Sequence, residues 1–517
     1  VSSDSLGTAP FVVYERLMSA GRDREPTSLE LAAADFEWDF LFPGREITTI
    51  TAASCLPAQS TNIRVERDSQ YDIIVEVRGS RGLGSGDIGR EYFGEHVPGA
   101  VVEGERIEGT DAVGGRYRLT GVLPVSLERQ YDLARSVEHF TCRMTSVGSI
   151  SVELEDVEPG ILCEWYLNGP SDTLSFYRTT RRSFDKCYDR HRTAAADSGL
   201  RPEADRTLRP QESHRHDYVL VTVGNHTAAV GLVPEKCAPK WSRCLQFEYR
   251  SSWGGIPPSD VRAALAEIVS FVFGRQLLLV GETSFHTGRV VRVVSCSPWG
   301  NGIPELCRRA SFPPVRLHDE SGFSARAEQL LGSLVPNYMR LRQELALDEA
   351  LWQFWIAERS PLGPNILLAT AAIERLIAAW HGSKRSSTTG LYMTKERFDG
   401  LVAPEMATLQ CKLTGESRGK EILRVLENAY RMSGGDRVKA FFTDIGLAIG
   451  KREQAALDVR HRPAHGNVLK RPEDIQHWNT TQTLFHRTVL KVLGYTDKYV
   501  DYATLSLPER KIDEPVP

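Results

Sequence analysis

Near the C-terminal end of the chain, Arg460-His461-Arg462-Pro463-Ala464-His465 sets an arginine and a histidine five positions apart, with Gly466 directly after them. These two side-chain types suffice for metal-free cleavage of RNA. A guanidinium holds a phosphate through charge-assisted hydrogen bonds, and an imidazole titrating near neutral pH moves protons. The spacing alone selects weakly: with 13 His and many Arg in the chain, roughly one chance Arg-x4-His match is expected. A second match does occur, at Arg209 and His214, where Pro210 follows the arginine and the surroundings read as a polar loop. Context favours the C-terminal copy, which lies among amphipathic helical segments. Arg462, Lys470 and Arg471 add positive charge beside it, suited to steering an RNA backbone, although basic residues near helix ends are also ordinary surface features. Pro463 lacks an N–H and disfavours helix at Arg462, so a helix carrying Arg460 should end or kink there. On an unbroken helix Arg460 and His465 would stand about 140° apart.

The elements that must position these residues are helical. After about Ser321 nearly every segment has the helical period. Ile366, Ile373, Leu376, Ile377 and Trp380 form one apolar stripe behind Pro364, a residue suited to a first helical turn. Ile422, Val425, Leu426, Ala429 and Tyr430 form a second. Asp436 is placed to cap a third segment with Val438, Phe441, Phe442, Ile445 and Ile449, and Ile475, Trp478, Phe485, Val489 and Val492 mark a long last helix. The expectation is an up-down helical bundle with these stripes as its core. The first ~320 residues read differently. Runs such as 71–77, 149–154 and 218–223 carry strand signals between Gly, Pro and Asp clusters. One helix is expected from Ser259 as N-cap to Gly274, with Val261, Leu265, Ile268 and Val272 on one face. The fold class expected is thus multidomain α+β: a β-rich lobe over 1–190, a polar linker or loop over 191–216, an α+β lobe over 217–320, a helical domain over 321–497 and a polar tail over 498–517, disordered from Thr504 onward.

Bulk properties narrow the function classes. The chain has 517 residues, 41% hydrophobic and 25% charged, ordinary values for a globular protein. No apolar run reaches the ~18–20 residues of a membrane span. Nine Cys without paired spacing, and a polar start at Val1-Ser2-Ser3-Asp4 with no signal-peptide pattern, lead to the expectation of a reduced, cytoplasmic setting. The formal net charge of −4 requires any RNA contact to come from a local basic patch. Gly84-Ser85-Gly86-Asp87-Ile88-Gly89 matches a dinucleotide fingerprint, but no helix follows it, and it reads as a hairpin loop. No Gly-Lys-Ser/Thr phosphate loop or Gly-x-Ser-x-Gly elbow is present. Cys187, His191, His214, His216, Cys237 and Cys244 match no common zinc spacing. Neither a metal nor a cofactor is expected.

A helical C-terminal module with Arg-polar-x3-His before its last long helix resembles the HEPN superfamily of ribonucleases and nucleotide-binding domains. The order fits: a helix with Ala371-Ala372-Ile373-Glu374-Arg375-Leu376 comes early, and Arg460-His461-x3-His465-Gly466 comes late. The chain looks most like the Apea-like HEPN group of prokaryotic antiviral defence proteins with a β-rich N-terminal region. The resemblance covers about 351–495. It implies a homodimer that brings two motifs into one composite site, and metal-independent RNA cleavage (of tRNA, for example) with the ribose 2′-hydroxyl as nucleophile. His465 would be the general acid/base, and Arg460 would hold the scissile phosphate. His461, in the polar position, would orient the substrate or share the proton work. Glu374 would reach the motif from a neighbouring helix, unless it is an ordinary solvated glutamate. The β-rich region would sense a trigger, phage-derived or other. The competing expectation is a non-catalytic HEPN-type dimerisation or nucleotide-binding scaffold with ligand-binding β lobes.

Overall fold

Sixteen strands of the first 295 residues join one sheet among the described residues. The computed structural model describes residues 28–29, 44–53, 56, 59–68, 71–84, 105–112, 114–146, 149–152, 159–170, 175–176, 178–182, 192–195, 199–202, 213–233, 242–286, 289–295, 303–318, 325–459 and 472–517. The first half of the sheet follows the period-2 rule: in strands Ser60–Arg67 and Ile73–Gly82, Ile63, Val65, Ile73, Val75 and Val77 point inward and charged residues alternate with them. Antiparallel register sets Ile63 opposite Val77 and Val65 opposite Val75. These side chains share a core with Ile107, Leu119, Phe140 and Met144. In the second half, strand Ile161–Leu167 is buried along its whole length because both of its faces are covered.

The expected lobes at 1–190 and 217–320, separated by a linker at 191–216, need correction. Strand Ile161–Leu167 pairs with Leu245–Arg250 on one side and Leu278–His286 on the other. It therefore belongs with the strands beyond 217. Strand Ser149–Val152 pairs with both Arg116–Asp132 and Arg289–Ser295 and carries the ladder from one half to the other. Arg67 reinforces the joint by donating from Nη2 to the Val280 carbonyl at 3.0 Å. Within 191–216, Arg192–Ala195 and Gly199–Pro202 form a two-stranded ladder, and Ser213–Val223 is a sheet strand. Local polarity suggests a linker, but strand pairing is a long-range property that composition does not carry.

About ten helices follow or interrupt the strands: α1 (Ser259–Phe273), α2 (Ile303–Cys307), α3 (Arg326–Leu341), α4 (Leu347–Arg359), α5 (Pro364–Gly382), α6 (Lys395–Leu413), α7 (Gly419–Glu427), α8 (Gly434–Asp444), α9 (Lys451–Val459) and α10 (Pro472–Val492). None is long and apolar enough to cross a membrane among the described residues. Helix α1 ends as expected at Gly274, whose φ of +62° closes the C-terminal turn, but Pro258 rather than Ser259 precedes it as the cap residue. The cap of α8 is Ser433, which accepts from the Asp436 backbone N–H, and not Asp436 itself. The helices do not form a separate bundle. Their core runs without a break from Phe354, Ile373 and Phe485 through α1 to Val221 and Phe247 of the sheet. Polar bolts fix this packing. Arg262 of α1 donates from Nε to Glu164 Oε1 at 2.7 Å, and the Tyr166 and Tyr249 hydroxyls donate to Oε2 of the same buried carboxylate. Glu267 of α1 accepts both arms of Arg342, at 2.6 and 2.7 Å.

Two further expectations are overturned. The stripe Ile422–Tyr430 is not core: Ile422 is 46% and Val425 68% exposed, and only Tyr430 of the five is buried. Helices α6 and α7 pack against each other as a hairpin whose own length holds one buried residue, Gly419. Ile422→Ser and Val425→Ser are accordingly expected to change unfolding free energy by no more than about 0.5 kcal/mol each, measured by urea titration. A core stripe would lose several times that. The polar tail at 498–517 is not disordered from Thr504 onward. Strands Lys498–Val500 and Glu509–Lys511 pair, and Tyr499, Ile512 and Val516 are buried. Its apolar residues are few but fall where the hairpin folds back on α10.

Candidate functional site

The structure brackets the motif. Helix α9 ends at Val459 and α10 begins at Pro472, and the two pack against each other. Both are anchored on α5: Val459 and Ile366 form a small core with Leu362 and Trp478 around it. Proline in the first turn of α10 is well placed, because its missing N–H has no intrahelical partner there. Arg460, His461, Arg462, Pro463, Ala464, His465, Lys470 and Arg471 lie outside the described residues, as does the effect of Pro463 on the motif. Glu374 is exposed on α5. The Gly-rich match begins at Gly84, in a left-handed turn with φ +88° after strand Ile73–Gly82, and its remaining residues also lie outside the described set. Of the six candidate zinc ligands, Cys244 is buried with its Sγ donating to the Ser242 carbonyl at 3.9 Å, and no cluster of three or more His, Cys, Asp or Glu able to hold a metal occurs among the described residues.

On the same helix α10 the structure places a cleft that the motif gave no hint of. It opens to solvent at the seam of sheet and helices, where Asn168 and Gln276 meet Trp355 and Glu358 of α4 and Trp478 and Gln482 of α10. Three arginines line it. Arg275 donates from Nη2 to the carbonyls of Cys307 and Arg309 at 2.7 and 2.9 Å. Arg309 donates from Nη1 to the Glu358 carbonyl at 2.5 Å, and Arg359 from Nη2 to Gln276 Oε1 at 2.7 Å. The Glu358 carboxylate accepts from Gln482 Nε2 at 3.2 Å. Burial pushes the Glu358 carboxyl up to about 8, against the pull of Arg359 and Arg309. Burial, with Arg309 nearby, lowers Arg359 to about 9. A warning existed in the sequence: α4 is apolar on nearly every side around Phe354, Trp355 and Ala357, so a Glu–Arg pair at its end has to be at least partly enclosed. What the pair faces comes from three distant segments and is not legible locally.

The Glu358 shift has a measurable consequence. Its folded pKa lies above the unfolded value of 4.5, so the folded state holds the proton more tightly. The stability this confers is full below pH 4.5 and falls as pH rises toward about 8. Arg359, lowered to about 9, stays protonated through that window. Glu358→Gln should flatten the decline, the difference between the two proteins growing by roughly 2–4 kcal/mol from pH 5 to 8. Urea titrations at several pH values would read this directly. Parallel curves would mean that Glu358 ionises freely.

No family model, no curated protein and no solved structure matches the chain.

Proposed function

We propose that the protein is a metal-independent endoribonuclease of the HEPN type, acting in the cytoplasm as a homodimer and an effector of antiviral defence or growth arrest. The β-rich region would govern it as sensor. The observation that supports this reading is the packing of the helices on either side of the motif-bearing segment. Helices α9 and α10, which flank it, pack on each other and on α5. The flanking helices offer a fixed frame on either side of the segment, which catalysis by positioned groups requires.

In the proposed reaction the ribose 2′-oxygen attacks the adjacent phosphorus. The 2′-O–P bond forms and the P–O5′ bond breaks, leaving a 2′,3′-cyclic phosphate and a 5′-hydroxyl. An imidazole takes the 2′-hydroxyl proton and an imidazolium returns one to the departing 5′-oxygen. His465 supplies one of these roles, and His461 or the His465 of a second copy the other. Arg460 neutralises charge on the equatorial oxygens of the phosphorane. Arg462, Lys470 and Arg471 hold the flanking backbone. The test is incubation of the full chain with labelled tRNA and total RNA in excess EDTA, with analysis of the product ends. Cyclic phosphate ends are expected. Intact RNA, or fragments ending in linear 3′-hydroxyls, would oppose the reading.

A further inference from the structure

We propose that the hairpin of helices α6 and α7 is a docking surface for a second copy of the chain, paired with it about a two-fold axis. The two helices pack against each other and are joined by residues 414–418, so they run antiparallel. Their half-buried residues, Val402, Met406 and Leu409 of α6 and Leu423 and Leu426 of α7, mark the sides on which they meet. Helical geometry turns Leu401 of α6 and Ile422 and Val425 of α7 to one common side of the hairpin, about 100° round from that contact. All three are exposed, Leu401 at 60%. A helix of nine residues such as α7 does not hold in water by itself, and in proteins the burial of an apolar face sustains it. With Ile422 and Val425 exposed, that burial is incomplete within one chain.

Charge and register select a copy of this chain as the occupant. Residues 395–427 carry six basic and six acidic side chains, so the hairpin neither attracts a phosphate backbone nor repels its own kind. Glu405 and Lys412, both exposed, lie seven positions apart on the Leu401 stripe of α6. The turn between the helices brings their ends level. The Gly419 N–H donates to the Glu416 carbonyl at 3.1 Å, and the Glu416 N–H to the Leu413 carbonyl at 3.2 Å. A Cβ on Gly419 would meet the Leu413 oxygen at 2.2 Å. The midpoint of Glu405 and Lys412 lies ~7 Å before the end of α6, and that of Ile422 and Val425 ~7 Å after the start of α7. The two midpoints are therefore level with each other. One two-fold axis across them sets Ile422 opposite the partner's Val425 and Glu405 opposite the partner's Lys412, and each pair occurs twice. Helices ~28 and ~13 Å long and ~10 Å wide give roughly 800–1,000 Å² of contact over two copies, at the small end of specific interfaces. The inference names the surface for the homodimer of the proposed function and rests on that part of the reading, whereas the pairing does not depend on RNA cleavage.

The experiment is sedimentation equilibrium of the full chain at low ionic strength, from about 0.5 to 100 μM. A monomer–dimer equilibrium with a dissociation constant of roughly 1–50 μM is expected. The double variant Ile422→Ser/Val425→Ser should weaken it about tenfold or more, with thermal melts at the lowest concentration to establish folding. Glu405→Lys and Lys412→Glu each set like charges opposite each other twice and should weaken it about threefold or more. The double reversal Glu405→Lys/Lys412→Glu should restore it. A wild type that stays monomeric at about 100 μM would overturn the proposal. A dimer that the serine variant leaves unchanged would overturn it too, since the copies would then meet elsewhere. Failure of the double reversal to restore the dimer would overturn the two-fold register. RNA cleavage by the same samples is read separately, so a monomer that cleaves RNA would remove the hairpin pairing and leave the nuclease standing.

Discussion

His465→Ala should slow metal-free RNA cleavage by about 10²- to 10⁴-fold, the usual worth of a positioned proton-transfer group, while leaving RNA binding nearly intact. The split follows from chemistry. The imidazole acts on protons that move only in the transition state, so its loss falls on kcat and spares KM. Arg460→Lys should also be slow, despite the conserved charge, because an ammonium cannot span two phosphate oxygens. It should weaken ground-state binding as well. His461→Asn separates the remaining roles: near-normal activity means that His461 orients substrate, and loss of one limb of the pH–rate profile means that it carries a proton. Single-turnover cleavage of one labelled RNA across pH 5–9, with circular dichroism to verify folding, measures all three. Wild-type rates in His465→Ala would remove this motif from the chemistry.

The largest stability effect is expected at a fully buried ion pair. Arg487 of α10 and Glu453 of α9 form an ion pair in which both side chains are 0% exposed. Arg487 also donates to the carbonyls of Ile512 and Ala448 and lies over the Tyr499 ring. One guanidinium thus ties both helices that flank the motif to the C-terminal hairpin. Burial raises the Glu453 pKa even against the pull of Arg487. Glu453→Ala leaves the buried arginine without its counter-charge and should cost about 3–5 kcal/mol. Replacing both residues with Met should cost much less than the sum of the two single changes, because the desolvation penalty leaves with the charges. Urea unfolding of the three variants tests this. Additive losses would show that the two charges do not depend on each other.

The pattern of success and error in the sequence has a physical cause. Local signals were reliable where the local chain decides. Gly274 ends α1, Pro364 opens α5, and Ile366, Ile373, Leu376 and Ile377 are buried as their spacing required. The helical period predicted α7 correctly but not its environment, since Ile422 and Val425 keep that period on an exposed face. Amphipathicity says that a helix has an apolar side and is silent on what covers it. The division of the sheet is not legible locally, because Ile161–Leu167 finds its partners about 80 or more residues away. The hairpin at 498–517 was missed because its burial depends on a few residues, among them Tyr499 and Ile512, and on a carbonyl that only Arg487 reveals. The proposed motif is a matter of residue type and order, which a sequence displays directly. The arginine cleft is not legible there, because Asn168, Arg275, Arg309 and Arg359 share no spacing.

The most direct measurement compares two oligonucleotides of one sequence in excess EDTA, one all-ribose and one with 2′-deoxyribose at the cleaved position. Cleavage of the first at that position, with the second left intact there, is the predicted result, because the nucleophile is the 2′-hydroxyl itself. Equal cleavage of both would contradict a HEPN-type mechanism, and so would failure to cut the all-ribose strand.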